Sequence, residues 1–195
     1  MFTGIVASMG NIVEIVHNAT NVDYWVRSTL SSSLTIDQSV SHNGVCLTVV
    51  ELQANMHRVT AIAETLSKTT LSTWVVGTAI NLELCLQVHS RLDGHYVTGH
   101  IDSTATCTQV VNKQGSWEYT FAIPHAYAAY IIEKGSIALN GTSLTIFNVT
   151  DYTFTVAIIP YTYEHTTIQY CQVGTVVNVE YDIIGKYILR MKSLQ

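Results

Sequence analysis

The sequence carries little charge and no excess of positive charge. Only 12% of its 195 residues are charged, and the formal net charge is −5. No cluster of lysine and arginine exceeds what a solvated surface carries, which argues against nucleic acid as a partner. This charge balance suits a small, uncharged substrate better than a phosphate-rich one.

Long apolar segments and closely spaced cysteines are lacking as well. No stretch of 18 apolar residues occurs, so we expect no membrane span and no membrane partner. The N-terminal segment MFTGIVASMG has neither the basic region nor the long apolar region of a signal peptide. The cysteines lie far apart, without a C-x-x-C pair, at Cys46, Cys85, Cys107 and Cys171. The sequence therefore predicts reduced cysteines in a cytoplasmic protein.

Several motifs that carry common chemistries are absent. The eight histidines show neither an H-E-x-x-H pair nor a paired Cys/His spacing. There is no Walker loop, no G-x-G-x-x-G after a strand and no G-x-S-x-G elbow. These absences predict no metal site and disfavour nucleotide-binding and serine-hydrolase functions.

An internal repeat organises the chain. Residues 39–50, 59–71 and 76–83 match residues 136–147, 156–168 and 173–180 at one constant spacing of 97 residues (136 − 39). The start recurs too, because Phe2–Val6 matches Val97–Ile101. Chance does not explain ungapped matches over three separate windows, so the chain is a duplicated domain. We expect domains over residues 1–96 and 97–182, followed by a tail over residues 183–195.

Each copy contains short segments that alternate or run apolar, as partly buried strands do. An N-G pair, Asn43-Gly44 or Asn140-Gly141, marks a tight turn between strands in each copy. Many short strands in so few residues predict an all-β fold, a small sandwich or a closed barrel. The predicted strands are Leu47–Leu52, Arg58–Ile62, Ala79–Leu84, Leu144–Phe147, Phe154–Ile159 and Val176–Glu180.

Helical signals are few. Pro124 and Gly135 bracket one predicted short helix. Residues 65–71 and 162–168 are each expected to form one or two turns. In the tail, apolar residues recur at helical spacing, at Ile183, Ile184, Tyr187, Ile188 and Met191. This helix either packs on its own barrel or joins subunits into an oligomer.

The two copies differ at polar positions that match in the repeat. The differing pairs are Cys46 and Ser143, Ile5 and His100, Lys68 and His165, and Glu64 and Tyr161. A thiol or hydroxyl and a histidine are capable of nucleophilic and proton-transfer roles. The residues alone leave open that Cys46 is a core residue, that His100 is structural, and that N-G-x-[CS]-L-T is only turn chemistry.

Five segments in register give the sequence a resemblance over essentially its whole length. They are Met1–Val6, Ser41–Val49, Asp93–Asp102, Lys134–Thr145 and Val177–Asp182. Together they resemble the riboflavin synthase family of the α-chain type. The resemblance implies two tandem six-stranded Greek-key β-barrels and a C-terminal α-helix that assembles a homotrimer.

The resemblance also implies an activity. Two molecules of 6,7-dimethyl-8-ribityllumazine dismutate by transfer of a four-carbon unit, which gives riboflavin and 5-amino-6-ribitylaminouracil. No cofactor and no metal are implied. The active site lies between the N-terminal barrel of one subunit and the C-terminal barrel of its neighbour, with lumazine synthase as a further candidate partner.

Site residues carry over from the family position by position. The N-barrel pocket is expected to use Gly4, Ile5, Val6, Cys46, Leu47, Thr48, Thr60, Ala61, Ile62, Ala63, Glu64 and Thr65. The C-barrel pocket is expected to use Gly99, His100, Ile101, Lys134, Ser143, Leu144, Thr145, Ala157, Ile158, Ile159, Pro160, Tyr161 and Thr162. His100 is the candidate for proton transfer, and Cys46, Ser143 and Asp182 are expected to assist it.

Three positions depart from the family pattern without removing a predicted pocket residue. The first copy has Thr70 where Asn is usual and Leu84 where Arg is common, and the second copy has Thr98 where Gln is frequent. A rival interpretation is a non-catalytic lumazine protein, which binds one lumazine or flavin as an optical antenna and typically loses the G-H-[IV]-D motif. That motif is intact here at Gly99–Asp102, which favours the enzyme. A generic β-barrel interaction module is the third interpretation.

Overall fold

The computed structural model describes residues 1–194 and shows two closed barrels in tandem. In the first barrel the strands pair antiparallel in the order β1-β2-β5-β4-β3-β6, and β6 pairs back with β1. The second barrel repeats this order as β7-β8-β11-β10-β9-β12. The first six strands are β1 (Ser8–Asn18), β2 (Asn21–Arg27), β3 (Ser39–His42), β4 (Val45–Gln53), β5 (Met56–Ala61) and β6 (Ala79–Leu84). The second six are β7 (Ser103–Asn112), β8 (Trp117–Ala122), β9 (Ser136–Leu139), β10 (Thr142–Phe147), β11 (Thr153–Ile158) and β12 (Val176–Tyr181).

This architecture confirms the predicted fold of two tandem six-stranded barrels. All six predicted strands are present, although β5 and β11 each end one residue earlier than predicted. The two excluded residues, Ile62 and Ile159, are the N-cap residues of short helices, α1 (Ala63–Lys68) and α2 (Pro160–His165). Each of these helices runs into a 3-10 turn, Thr70–Thr73 or Thr167–Tyr170.

The helix predicted between Pro124 and Gly135 is wrong in extent and type. Only His125–Tyr130 is helical, and it is a 3-10 helix. The chain leaves it at Ile131, which has extended backbone angles and a side chain buried in the second core. Burying that side chain stabilises the extended conformation over another helical turn.

The tail forms α3 (Ile183–Lys192), as its apolar spacing predicts. Asp182 caps this helix, because its Oδ1 accepts a hydrogen bond of 2.9 Å from the backbone N of Ile184. Gln195, the last residue of the predicted tail, lies outside the described residues.

Strand periodicity decides which side chains face the sites. Along β4, Val45, Leu47 and Val49 are buried in the first core, whereas Cys46 and Thr48 face outward. On β10 the odd-numbered side chains face outward in the same way. The outward faces of β4 and β10 therefore present the polar residues that differ between the copies.

The two N-G turns touch each other where the barrels meet. Positive φ angles at Asn43, Gly44, Asn140 and Gly141 make both turns type I′. A Cβ on Gly44 would lie 2.8 Å from the backbone N of Gly141, and a Cβ on Gly141 would lie 2.7 Å from that of Gly44. Glycine is therefore required at both positions, for conformation and for space.

Two matching asparagines cross the boundary between the barrels. The Asn81 amide donates to the Asn140 carbonyl at 2.9 Å, and the Asn178 amide donates to the Asn43 carbonyl at 2.9 Å. Each side-chain oxygen also accepts a backbone N–H from the opposite barrel. These reciprocal bonds fix the barrels relative to each other, since an unpaired buried amide would be costly.

The first barrel buries a histidine pair with no match in the second barrel. His42 Nε2 and His57 Nε2 lie 2.8 Å apart. His42 Nδ1 must carry hydrogen, because its partner is the Val40 carbonyl at 3.0 Å. His57 therefore donates from Nε2 to His42 and accepts from the Ser31 hydroxyl at 2.8 Å. Burial holds the pKa of both imidazoles below its usual range, and the charge of His57 lowers that of His42 further.

This pair predicts acid-sensitive stability. Below the ordinary imidazole pKa of about 6.5, His42 and His57 become protonated in the unfolded chain, whereas in the folded barrel they stay neutral. The free energy of unfolding should fall as pH drops below about 6.5, with a slope of about 1.4 kcal/mol per pH unit for each histidine. Urea unfolding at a series of pH values from 7 to 4 measures this slope. His57→Gln should reduce the slope, whereas His89→Gln, at an exposed position of the linker between the barrels (residues 88–96), should not. A slope that H57Q and H89Q change equally would contradict this origin.

Candidate functional site

Two matching segments at the starts of the repeats cross from one barrel to the other. The Gly4 carbonyl accepts a hydrogen bond of 2.7 Å from the backbone N of Ser143 in β10. The Gly99 carbonyl accepts one of 2.9 Å from the backbone N of Cys46 in β4. We call the surface around Cys46, Gly99 and His100 the first-barrel site, and the surface around Gly4, Ile5 and Ser143 the second-barrel site.

This crossing corrects the grouping expected from the sequence. Gly4–Val6 was assigned to the pocket of Cys46, and Gly99–Ile101 to the pocket of Ser143. The structure exchanges the two segments. Phe2 and Val97 pair as an isolated antiparallel bridge between the barrels. Each segment therefore contacts the opposite barrel before the chain enters the first strand of its own barrel. Order along the chain does not reveal such an exchange.

A buried glutamate holds each crossing segment. Glu180 accepts from the backbone N of Thr98 at 2.6 Å, from its hydroxyl at 2.8 Å and from the backbone N of Gly99 at 2.8 Å. Glu83 makes the same three contacts with Thr3 and Gly4. Burial raises the pKa of Glu83, and its hydrogen bonds from Thr3 and Gly4 oppose that shift.

Sequence reasoning missed the role of these glutamates. The signal was a charged residue kept at matching positions, 83 and 180, inside two strands that are mostly apolar and whose residues are mostly buried. Such a position needs a local partner, because a buried carboxylate without donors is strongly disfavoured.

The crossing segments need their glycines. Gly4 and Gly99 have φ angles of +78° and +84°. A Cβ on Gly99 would lie 2.5 Å from Cys46 Cβ, and one on Gly4 would lie 2.6 Å from Ser143 Cβ. No other residue allows the backbone to approach the opposite barrel this closely.

The first-barrel site is a cavity of about 420 Å³. Its lining includes Cys46, Thr65, Lys68 and His100. Cys46 is half-buried, and burial raises the pKa of its thiol, which therefore stays protonated at neutral pH. His100 is exposed at the rim. The arrangement offers a neutral thiol and an accessible imidazole side by side.

The C-terminal helix contributes to this site, which sequence reasoning did not predict. Lys186 lines the cavity, and its Nζ lies 2.6 Å from Asp102 Oδ2. The same carboxylate oxygen accepts from the backbone N of Tyr181 at 2.9 Å. The ion pair therefore connects α3 to the segment that carries His100.

The second-barrel site lies on the outward face of β10. Ser143 and Thr145 face outward on β10, Ile5 is exposed beside them in the crossing segment, and Asp182 lies at the start of α3. Other predicted members are exposed or half-buried around α2, namely Ala157, Ile159, Pro160, Tyr161 and Thr162. The exposed Tyr161 ring stacks on His165 with centroids 4.1 Å apart. The site thus combines apolar surface with a few hydroxyl and carboxyl groups.

Some predicted residues are not placed for side-chain contact with a ligand. Leu47, Ala61 and Ile158 point into the barrel cores because of strand register, so only their backbone groups reach a site. Leu144 packs against the second core in the same way. Lys134, by contrast, is exposed, and its Nζ lies 5.4 Å from the centroid of the Phe147 ring on the outward face of β10.

The remaining predicted residues of the first copy lie on outward surfaces. Val6, Thr48, Thr60, Ile62, Ala63, Glu64 and Thr65 are exposed or half-buried, as is Ile101 in the second copy. The departures from the family pattern are accommodated. Leu84 packs against the first core, and Thr98 binds Glu180. Thr70 bonds through its backbone N to Asn178.

A few further properties bear on function. Across residues 1–194, no three His, Cys, Asp or Glu side chains are grouped so that they could hold a metal ion. No helix in that part of the chain is long and apolar enough to cross a membrane. All four cysteines are free.

Comparison with known proteins agrees with the internal repeat. The family described as "Lumazine binding domain" matches the chain twice, at residues 3–85 and 98–182. The riboflavin synthase of Photobacterium phosphoreum is 37% identical over 193 residues, covering 98% of this chain and 88% of that protein. The riboflavin synthase of Mycobacterium tuberculosis is 37% identical over 203 residues, covering 98% of both. This chain belongs to the riboflavin synthase family.

Solved structures support the fold of this riboflavin synthase family member. LumP complexed with riboflavin superposes with a TM-score of 0.87 at 24% identity, covering 93% of this chain and 99% of LumP. LumP complexed with 6,7-dimethyl-8-(1'-D-ribityl) lumazine gives a TM-score of 0.85 at 23% identity. At this identity the likeness establishes the shared two-barrel architecture.

The Glu180 contact predicts a specific local weakening. Glu180→Gln should loosen Thr98–Ile101, because the amide replaces one acceptor oxygen with a donor that faces the N–H of Thr98 or Gly99. We expect a loss of about 1–3 kcal/mol in the free energy of unfolding. Amide exchange at Gly99 should accelerate. Glu118→Gln, which changes a partly exposed ion pair with Lys113, is the matched control. Equal protection of Gly99 in E180Q and E118Q would refute the role of Glu180.

Proposed function

We propose that this chain is a transferase that converts two molecules of 6,7-dimethyl-8-ribityllumazine into riboflavin and 5-amino-6-ribitylaminouracil. One observation carries the proposal. The chain matches riboflavin synthases along its whole length and presents two similar surfaces, related by the repeat, for two copies of one substrate. We further propose that it acts in the cytoplasm, where free cysteines such as its own stay reduced.

The reaction balances without a redox partner. The four carbons that leave one lumazine are the four that complete the new ring of the other. The two products together contain the same atoms as the two substrates. The protein must therefore hold two rings face to face and move protons between them. Holding two reactants in the right relative orientation strongly increases the rate of such a reaction.

The first-barrel site has groups suited to proton transfer. Loss of a proton from the acidic C7 methyl of one lumazine generates the carbon nucleophile that joins the rings. His100 is exposed beside Cys46 and is the candidate for moving this proton. Cys46 contributes as a neutral thiol. Ser143 and Asp182 are the corresponding polar groups of the second-barrel site.

We propose that the active enzyme is a homotrimer in which the first-barrel site of one subunit faces the second-barrel site of its neighbour. The apolar side chains of α3 support this assembly, since Ile184, Tyr187, Ile188 and Met191 are all more than half exposed. Lys186 on the same helix lines the first-barrel site, so assembly and site share one element. Lumazine synthase as a partner stays a prediction.

The second candidate function is a non-catalytic lumazine or flavin carrier. The high structural similarity to LumP is the observation that favours it. The Gly99–Asp102 segment argues for the enzyme, because Glu180 and the Lys186–Asp102 ion pair hold it with His100 at the rim of the first-barrel site.

Turnover distinguishes these functions. Purified protein mixed with 6,7-dimethyl-8-ribityllumazine should produce riboflavin, visible in the absorption spectrum. His100→Ala and Cys46→Ala should each lower kcat by about tenfold to a thousandfold, the range expected for proton transfer and site hydrogen bonds. His89→Ala is the matched control, since His89 is exposed in the linker. Bound but unconverted lumazine would favour the carrier. Full turnover in both H100A and C46A would overturn the assigned roles.

The assembly can be tested separately. Replacing Tyr187 and Ile188 together by Glu should convert the trimer to a monomer, because buried charges would oppose packing of α3. Light scattering after size exclusion measures the mass. Gln114→Glu, at an exposed position of the turn between β7 and β8, serves as a control for added surface charge. A wild-type monomer with full activity would refute the trimer.

A further inference from the structure

The linker between the barrels places a histidine directly on Ser143. His95 Nδ1 lies 2.7 Å from Ser143 Oγ. The backbone N of His95 donates to the Thr3 carbonyl at 3.1 Å, which fixes the linker against the crossing segment. His95 is 8% exposed, so this is a built contact within the folded chain.

This contact compensates for a difference between the two sites. The repeat places His100 in the first-barrel site and Ile5 at the corresponding place in the second. The second-barrel site therefore receives no histidine from its crossing segment. The linker supplies the second-barrel site with a histidine through the contact of His95 with Ser143.

We propose that His95 is a positioning residue of the second-barrel site, where its imidazole fixes the Ser143 hydroxyl toward a bound substrate ring. The proposal rests on the proposed riboflavin synthase activity and extends it. Ser143 is held twice, by the Gly4 carbonyl through its backbone N and by His95 through its side chain. A hydroxyl fixed in this way presents its free lone pair or proton in one direction only.

The surroundings of His95 fit this role. The ionisable group that acts on it is Asp182, whose negative charge raises the pKa of the imidazole while burial, the larger effect, lowers it. Asp182 matches Cys85 of the first copy, as Ser143 matches Cys46. The second-barrel site therefore combines a hydroxyl, an imidazole and a carboxylate where the first copy has two thiols and His100.

A double-mutant cycle on the full-length protein tests the inference. His95→Ala and Ser143→Ala should each lower kcat by about tenfold, the effect of losing one oriented hydrogen bond, with KM changed less than about threefold. The double variant should be no slower than S143A, because His95 acts through Ser143. His95→Asn places an amide near the former Nδ1 and should recover most of the kcat. His89→Ala in the same linker should match wild type.

The outcomes separate this inference from the proposed function. An inactive wild type would refute the proposed function, and the inference would fall with it. Active wild type with independent, multiplying losses in H95A and S143A would refute the inference alone. The same holds if H95A keeps full kcat. If H95N is as slow as H95A while both melt at the wild-type temperature, the hydrogen bond to Ser143 is not what His95 contributes.

Discussion

The architecture of both sites depends on how two buried carboxylates bind two crossing segments. Glu83 and Glu180 each accept three hydrogen bonds from a Thr-Gly pair. Without these carboxylates the amides of Gly4 and Gly99 would lose their partners beside an apolar interface, which costs about 1–3 kcal/mol for each such group. With them, each glycine carbonyl reaches the opposite barrel. The backbone segments that join the barrels also form the sites. The same hydrogen bonds therefore determine both how the domains are placed and the geometry of the sites.

The duplication gives two copies of one barrel, and the candidate reactive residues lie at positions where the copies differ. The N-G turns and the asparagine bonds across the boundary are nearly identical in both copies, because any change there would move one barrel against the other. The outward faces of β4 and β10 carry no such constraint. Cys46 and Ser143 diverged there, and so did the crossing residues His100 and Ile5. A reaction that treats two identical molecules differently, one as donor and one as acceptor, requires this kind of divergence on a symmetric frame.

Much of the fold follows from the sequence, because strand alternation and the repeat are local signals. Six of the twelve strands, the tight N-G turns and α3 were predicted from residue spacing. The exchange of Gly4 and Gly99 between barrels was not, since it depends on the pairing of Phe2 with Val97 across the domain boundary. The family resemblance carried over contiguous segments as pocket residues. In a strand, however, alternate side chains point inward, and Leu47 and Ile158 are among those that do. Lys186 was missed because its helix was considered only for packing and assembly, and its charged residues were not considered for a site. His95 was missed because it lies in the linker, outside the segments that match in the repeat.

The position of α3 gives the assembly a direct connection to the chemistry. Its apolar residues are exposed, while Lys186 on the same helix binds Asp102, two residues from His100. Both ion-pair partners are largely shielded, so the pair is screened less than a surface pair and fixes the helix more firmly. A neighbouring subunit that packed on α3 would therefore restrain the segment carrying His100 as well as bring its own second-barrel surface closer. In the proposed trimer, an isolated subunit would possess every candidate catalytic group and still lack both the facing ring and this restraint. On that proposal the contact between subunits is the functional unit, and the two barrels of each subunit supply the surfaces that meet there.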